Sequence, residues 1–311
     1  MPAEERSSCA RRTADPSAPA AKDAASGRDD IYKIPMSSPP LVFPPLPKIL
    51  TATVFGRSIR YYDVGSGPPL LLIHGLGGDA DEWAFCFEPF SQSRRVIALD
   101  LLGFGRSDKP LIDYTIAGFV EVIEEFLRGL KIERAAVLGE SLGGWIASAF
   151  ALKFRERVDK LVLVDAAGVW GDIAGLPIDV RVSTRAHLRD VFRLLFHDKR
   201  LATDLFIDIA YELHLERGDS YTIDSVLRSQ QDGRERLDDV IGKLGVPTLI
   251  MWGEQDEMIP LAVGRNLHSL IPGSKLEVIA QCGHLPALEK PAEFVRCVLA
   301  FLANPSGKTV L

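Results

Sequence analysis

From residue 50 onward, short apolar runs alternate with longer stretches of helical spacing. PLLLIHG (69–75), RRVIALD (94–100), RAAVLGE (134–140), DKLVLVD (159–165), VPTLIMWG (246–253) and SKLEVIA (274–280) are rich in Leu, Ile, Val and Ala with few polar interruptions. Such runs suit a parallel sheet covered on both faces, where neither side of a strand meets water. LTATVFG and RSIRYYDVG instead alternate apolar and polar positions, which predicts an opening hairpin turned at Gly56. TIAGFVEVIEEFLRGL (115–130), WIASAFALKF, the stretch after Pro260 and PAEFVRCVLAFLA (291–303) carry the spacing of amphipathic helices. The whole pattern predicts an α/β fold of about eight mostly parallel strands flanked by helices.

One interval breaks the alternation. Between Asp165 and Val246 no strand pattern occurs, while HLRDVFRLLFHD, RLATDLFIDIAYELHLERGD and YTIDSVLRSQQDG read as helical. A connection that long needs structure of its own. The expectation is a helical lid at 169–243, inserted after the sixth strand into a core made of 48–168 and 244–304. Residues 1–30 are rich in Ala, Ser, Pro and charge and are expected to be a disordered tail. Residues 31–47 are proline-rich, with six prolines between 35 and 47, and are expected to lie extended on the domain surface. A polyproline ligand for a partner is the alternative for that segment.

Composition narrows the function classes. The formal net charge is −6 with no basic block, which argues against nucleic acid as a partner. No segment reaches the length of a membrane span, so no stable membrane insertion is expected. The four cysteines (Cys9, Cys86, Cys282, Cys297) have no metal-type spacing, and a reduced, cytoplasmic setting is expected. No cofactor and no metal is expected; oligomeric state is left open.

The chemistry concentrates in a few short stretches. GESLGG (139–144) lies where a strand pattern ends and a helical one begins, and GxSxG in that context is a nucleophile elbow that projects Ser141. The backbone N–H of Leu142 then faces an incoming oxyanion at a helix N-terminus. A serine needs a base. Of six histidines, His187, His197, His214 and His268 fall in helical patterns, and His74 ends a strand where it suits a loop-bonding role. His284, in QCGHLPALEKP after the last strand, is the candidate base. Asp256 in WGEQDEMIP is the candidate acid, with Asp100, Asp165 and Glu254 as alternatives. HGLGGDADEW (74–83) can supply a second oxyanion donor, assigned to Leu76.

HGLGG, DLLGFGRSDKP, GESLGG, WGEQDEMIP and CGHLPALEKP, in that order, resemble the α/β-hydrolase superfamily, in the part of it that carries a helical lid. The resemblance runs from about Pro47 to Leu302. It implies a carboxylesterase or lipase-like serine enzyme with Ser141, Asp256 and His284 as its triad, acting on a small-molecule ester of short to medium acyl length. It makes DLLGFGRSD a structural loop near the entrance. Relatives that open epoxides or displace halide carry Asp at the elbow, so Ser141 argues against both. Hydrolases of ring-fission diketones usually show HGxGPG and GNSMGG, from which HGLGGD and GESLGG depart, and C–C bond hydrolysis is the alternative. An acyltransferase or a ligand receptor on the same fold are further alternatives. Gly75, Trp145, Trp170, Phe196 and Phe206 are the expected pocket residues, drawn from a lid that also offers Val169, Leu194, Leu195, Ile209 and Tyr211.

Overall fold

The apolar runs become one eight-stranded sheet. It is seen in a computed structural model that describes residues 43–169, 176–231 and 233–304. The strands are β1 (Leu50–Val54), β2 (Arg57–Val64), β3 (Pro69–Ile73), β4 (Arg95–Leu99), β5 (Ala135–Glu140), β6 (Val158–Val164), β7 (Thr248–Gly253) and β8 (Lys275–Ile279), in the order β1-β2-β4-β3-β5-β6-β7-β8. β1–β2 and β2–β4 pair antiparallel and every other neighbour pairs parallel. The expected tail, most of the proline-rich segment and Trp170 lie outside the described residues. Within the described part of that segment, the Phe43 ring packs on Phe85 with centroids 5.3 Å apart.

Helices α1 (Ala84–Ser91), α2 (Ile116–Gly129) and α3 (Leu142–Lys153) occupy the first half of the chain. α4 (Arg185–Leu195), α5 (Asp204–Arg217) and α6 (Ser220–Ser229) fall between β6 and β7, and α7 (Leu261–Leu270), α8 (Pro286–Glu289) and α9 (Pro291–Ala303) follow. Period two along the strands sorts the interior into two layers. Ala135 and Val137 of β5 join α2, α3 and α7 in one cluster, while Ala136 and Leu138 join Phe87 and Phe90 of α1 and Phe294 and Val298 of α9 in the other. Every residue of β5 and β7 is buried, the state that near-continuous apolar runs anticipate.

The chain leaves β3 toward β4 on one side and reaches β5 on the other. That reversal opens a crevice at the carboxyl ends of β3 and β5, the place where open α/β sheets hold their ligands. The helices after β6 are fixed to the core beside it. The Glu235 carboxylate accepts from the N–H groups of Ile116 (3.0 Å) and Ala117 (2.9 Å), capping α2, and Ser225 Oγ accepts from Tyr114 N–H (2.9 Å). One helical assignment needs correcting. α4 ends at Leu195, Phe196 is extended, and His197 lies in the loop beyond, where its N–H donates to Glu289.

Candidate active site

Ser141 occupies the turn between β5 and α3 at φ 52° and ψ −116°, a region non-glycine residues seldom adopt and which costs about 1–3 kcal/mol. The surroundings enforce it. Ser141 N–H donates to Val164 O (2.9 Å), and Ser141 O accepts from Gly144 N–H (3.0 Å) and Ala167 N–H (3.0 Å). A Cβ on Gly139 would stand 2.1 Å from Gly143 O, and one on Gly143 would stand 2.2 Å from Ile73 O, so only glycine allows the strand, the turn and the helix to approach this closely. Leu142 opens α3, so its N–H has no acceptor within the helix and lies at the positive end of the dipole. The loop after β3 runs beside the serine. A Cβ on Gly75 would lie 3.4 Å from Ser141 Cβ. Gly78 N–H closes a turn onto Gly75 O (3.2 Å), with Leu76 and Gly77 at its centre and Gly77 at φ 73°.

His284 and Asp256 meet at the ends of β8 and β7. His284 Nδ1 lies 2.7 Å from Asp256 Oδ2, and Asp256 Oδ1 accepts from the N–H groups of Met258 (2.8 Å) and Ile259 (2.9 Å). With Nδ1–H donating to the carboxylate, Nε2 keeps its lone pair, the arrangement a proton acceptor requires. Burial works to lower the imidazole's pKa; the charge and hydrogen bond of Asp256, helped by Glu140 and Glu289, overcome it and hold the value above the ordinary 6.5. The loop carrying His284 is itself clamped. His284 N–H donates to Leu195 O (2.7 Å), and Glu289 accepts from the N–H groups of Gly283 (2.7 Å), His197 (3.0 Å) and Asp198 (3.1 Å).

Two further acids crowd this pair. Asp165 follows β6 directly at φ 43°, fully buried, with Oδ1 accepting from Gly253 N–H (2.9 Å). Burial, with the neighbouring Asp256, pushes its carboxyl well above the usual range. Glu140, immediately before Ser141, is pushed up to about 8 by burial, with Asp256 adding to the shift and His284 opposing it. Metal-ligating residue types converge among the described residues at Asp165, Asp256 and His284, whose donor atoms lie within 4.8 Å of one another. The 2.7 Å bond between two of them is the geometry of a shared proton rather than of two ligands facing a common ion.

The remaining candidates have partners of their own. His74 is fully buried, donating from Nδ1 to Gly75 O (2.7 Å) and accepting at Nε2 from Leu101 N–H (2.9 Å), and burial lowers its pKa to about 4. Asp100 is spent on Arg60 Nη1 (2.8 Å), Ala80 N–H (2.9 Å) and Arg106 N–H (2.7 Å), which fixes the DLLGFGRSD loop. Glu254 is exposed. Trp145 is enclosed in the core under Gly168 and donates its indole N–H to Glu235 O (3.0 Å). Phe196 and Phe206 join Phe192 in an aromatic cluster of the inserted helices, with centroids 4.9–5.7 Å apart. Ile209 is half exposed. Sequence reasoning assigned no role to Glu289 or Glu140, although both stand inside the quoted motifs CGHLPALEKP and GESLGG.

The family model described as the alpha/beta hydrolase fold matches residues 68–291. The 2-hydroxy-6-oxo-2,4-heptadienoate hydrolase of Pseudomonas putida is 31% identical over 80% of this chain and 94% of its own length. Among solved structures, the meta-cleavage product hydrolase CumD of Pseudomonas fluorescens IP01 superposes with a TM-score of 0.76 at 30% identity, covering 81% of this chain and 97% of that one. A bacterial membrane phospholipase A superposes with a TM-score of 0.71 at 25% identity, covering 82% and 85%. No helix among the described residues is long and apolar enough to cross a membrane.

Proposed function

The chain belongs to the α/β-hydrolase family, and from that premise we propose that it is a serine hydrolase cleaving carboxylic esters of short to medium acyl length through an acyl-enzyme. The observation that carries this reading is the His284–Asp256 hydrogen bond, which leaves Nε2 without a partner among the described residues, at the same sheet edge where Ser141 is held in a strained turn. Ser141 Oγ attacks the ester carbonyl as His284 Nε2 takes its proton, and Asp256 stabilises the imidazolium. The N–H groups of Leu142 and Leu76 receive the oxyanion. His284 then protonates the leaving alcohol, and water releases the acyl group along the same route.

The inserted helices support ester over diketone. A ring-fission substrate carries a carboxylate that needs a cation, and three arginines of the inserted segment are paired with acids of that same segment: Arg181 with Asp179 and Asp224, Arg185 with Asp204 and Asp208, Arg189 with Asp204. Hydrolysis of a C–C bond in such a diketone is the second reading, favoured by the likeness to the P. putida and P. fluorescens enzymes. A panel of p-nitrophenyl esters from acetate to palmitate, run beside a ring-fission diketone, separates the two. The expected result is kcat/KM at least 10-fold higher for the best ester, with a maximum at short or medium chains. A diketone turned over faster than every ester overturns the ester reading.

A further inference from the structure

Asp165 is buried beside the pair the mechanism uses, and the mechanism gives it nothing to do. Two carboxylates this close, both sealed from water, do not both ionise. Their hydrogen bonds say which one holds the charge. Asp256 receives three donors, the N–H groups of Met258 and Ile259 and Nδ1–H of His284. Asp165 receives one, from Gly253 N–H at Oδ1; among the described residues no donor reaches its Oδ2, and its side-chain partner is the Asp256 carboxylate. A buried oxygen that no donor reaches suits the protonated member of the pair, whose O–H can donate to the Asp256 carboxylate, since an ionised one there would be desolvated without compensation.

We infer that Asp165 is a reserve acid: it stands neutral while Asp256 carries the charge, and when the Asp256 carboxylate is removed it ionises and supports the His284 imidazolium in its place. The inference rests on the serine-hydrolase reading with Asp256 as the acid. In the altered protein Asp165 releases its proton to solvent, and its carboxylate then faces the Nδ1–H of a His284 that has taken the Ser141 proton at Nε2. The donor atoms already lie within 4.8 Å, so a side-chain rotation into vacated space closes the gap. The titratable groups around Asp165 are Asp256, His284, Glu140 and Cys282.

This predicts an inverted order of variants. Asp256→Asn keeps the space filled, its amide oxygen held by Met258 and Ile259 N–H and its NH₂ turned toward His284, so Asp165 is shut out and the wrong tautomer is favoured. Asp256→Ala vacates the space. The expected result is that Asp256→Ala retains at least 10-fold more kcat than Asp256→Asn, although asparagine is the closer mimic. Asp165→Asn alone should stay within about 3-fold of wild type, because its amide can hold the Gly253 bond and donate as the acid does. Combined with Asp256→Ala, Asp165→Asn should remove the whole advantage, whereas Glu140→Gln in that background should leave it intact. If Asp256→Ala does not fold by circular dichroism, Asp256→Ser, whose hydroxyl can accept one of the freed N–H groups, takes its place. Asp256→Ala no better than Asp256→Asn, an advantage that survives Asp165→Asn, or an advantage lost with Glu140→Gln overturns the inference. A crippled Asp165→Asn single variant overturns the assignment of Asp256 as the acid, and the inference with it.

Discussion

Two loops at the carboxyl edge of the sheet each bury a histidine, and the two histidines end up with opposite properties. His74, after β3, and His284, after β8, are 0% and 3% exposed, so solvent access does not distinguish them. His74 has both ring nitrogens committed to backbone, Gly75 O and Leu101 N–H, and its pKa falls to about 4. His284 has one nitrogen on a carboxylate and the other uncommitted among the described residues, and its pKa rises. Burial penalises the imidazolium in both places; only the second supplies a negative charge bonded directly to the ring. An activated histidine is therefore made by its Nδ1 partner, and a locked one by having both nitrogens spoken for.

The largest effect that could break this contrast is chemical. Ser141→Ala and His284→Ala should each lower kcat by about 10⁴-fold or more with the fold retained. A tenth of wild-type turnover in either variant would remove the residue from the mechanism. Asp256→Asn should cost roughly 10³- to 10⁴-fold by favouring the wrong tautomer. His74→Asn, in contrast, should leave kcat within a few-fold while lowering stability by about 1–3 kcal/mol, through one or both lost backbone bonds. Thermal unfolding and ester turnover on the same preparation would separate the two roles.

Acid sharpens the comparison further. The folded pKa of His74 lies below its unfolded value, so neutral His74 stabilises the fold above pH 6.5, and this contribution is lost as pH falls toward about 4. Fully expressed, it amounts to about 3 kcal/mol. Asp79, pushed up to about 6, and Glu140, up to about 8, change stability in the opposite direction, so the quantity to read is wild type minus His74→Asn. That difference in Tm should shrink between pH 6.5 and pH 4. A constant difference would mean that His74 binds a proton in the folded state as readily as in the unfolded one.

The smallest effect is a displacement along the pH axis. His284 accepts a proton only when neutral, so kcat/KM should rise with pH through one ionisation and then level off. Because its pKa is raised, the midpoint should fall above 6.5. A midpoint below 6 would mean that burial outweighs the Asp256 charge.

The strands were legible because each apolar run is long enough to fill a buried strand and stops at a turn. PLLLIHG, RAAVLGE and VPTLIMWG foretell β3, β5 and β7 nearly residue for residue. The elbow was legible because glycine at 139 and 143 answers to a local steric need. What lay beyond reach depends on strand order. Nothing near Asp165 in the sequence says that β6 and β7 are neighbours, and so nothing says that its carboxyl meets Asp256. His197 read as helical because HLRDVFRLLFHD keeps its spacing past the true end of α4; the competing pull comes from Glu289, far along the chain. Trp145 looked available to a ligand because a large aromatic beside an elbow invites that reading, yet its indole N–H is bonded to Glu235 O.

Glu289 also fixes what can move. By accepting from Gly283, His197 and Asp198 it welds the residues after α4 to the loop of His284, so the two travel as one body. Leu195 O, at the last residue of α4, accepts from His284 N–H, so that end of the helix is tied to the same loop. Pulling the two stretches apart would break all four of these bonds, three of them at one carboxylate, so the place of the imidazole depends on a side chain that never touches it.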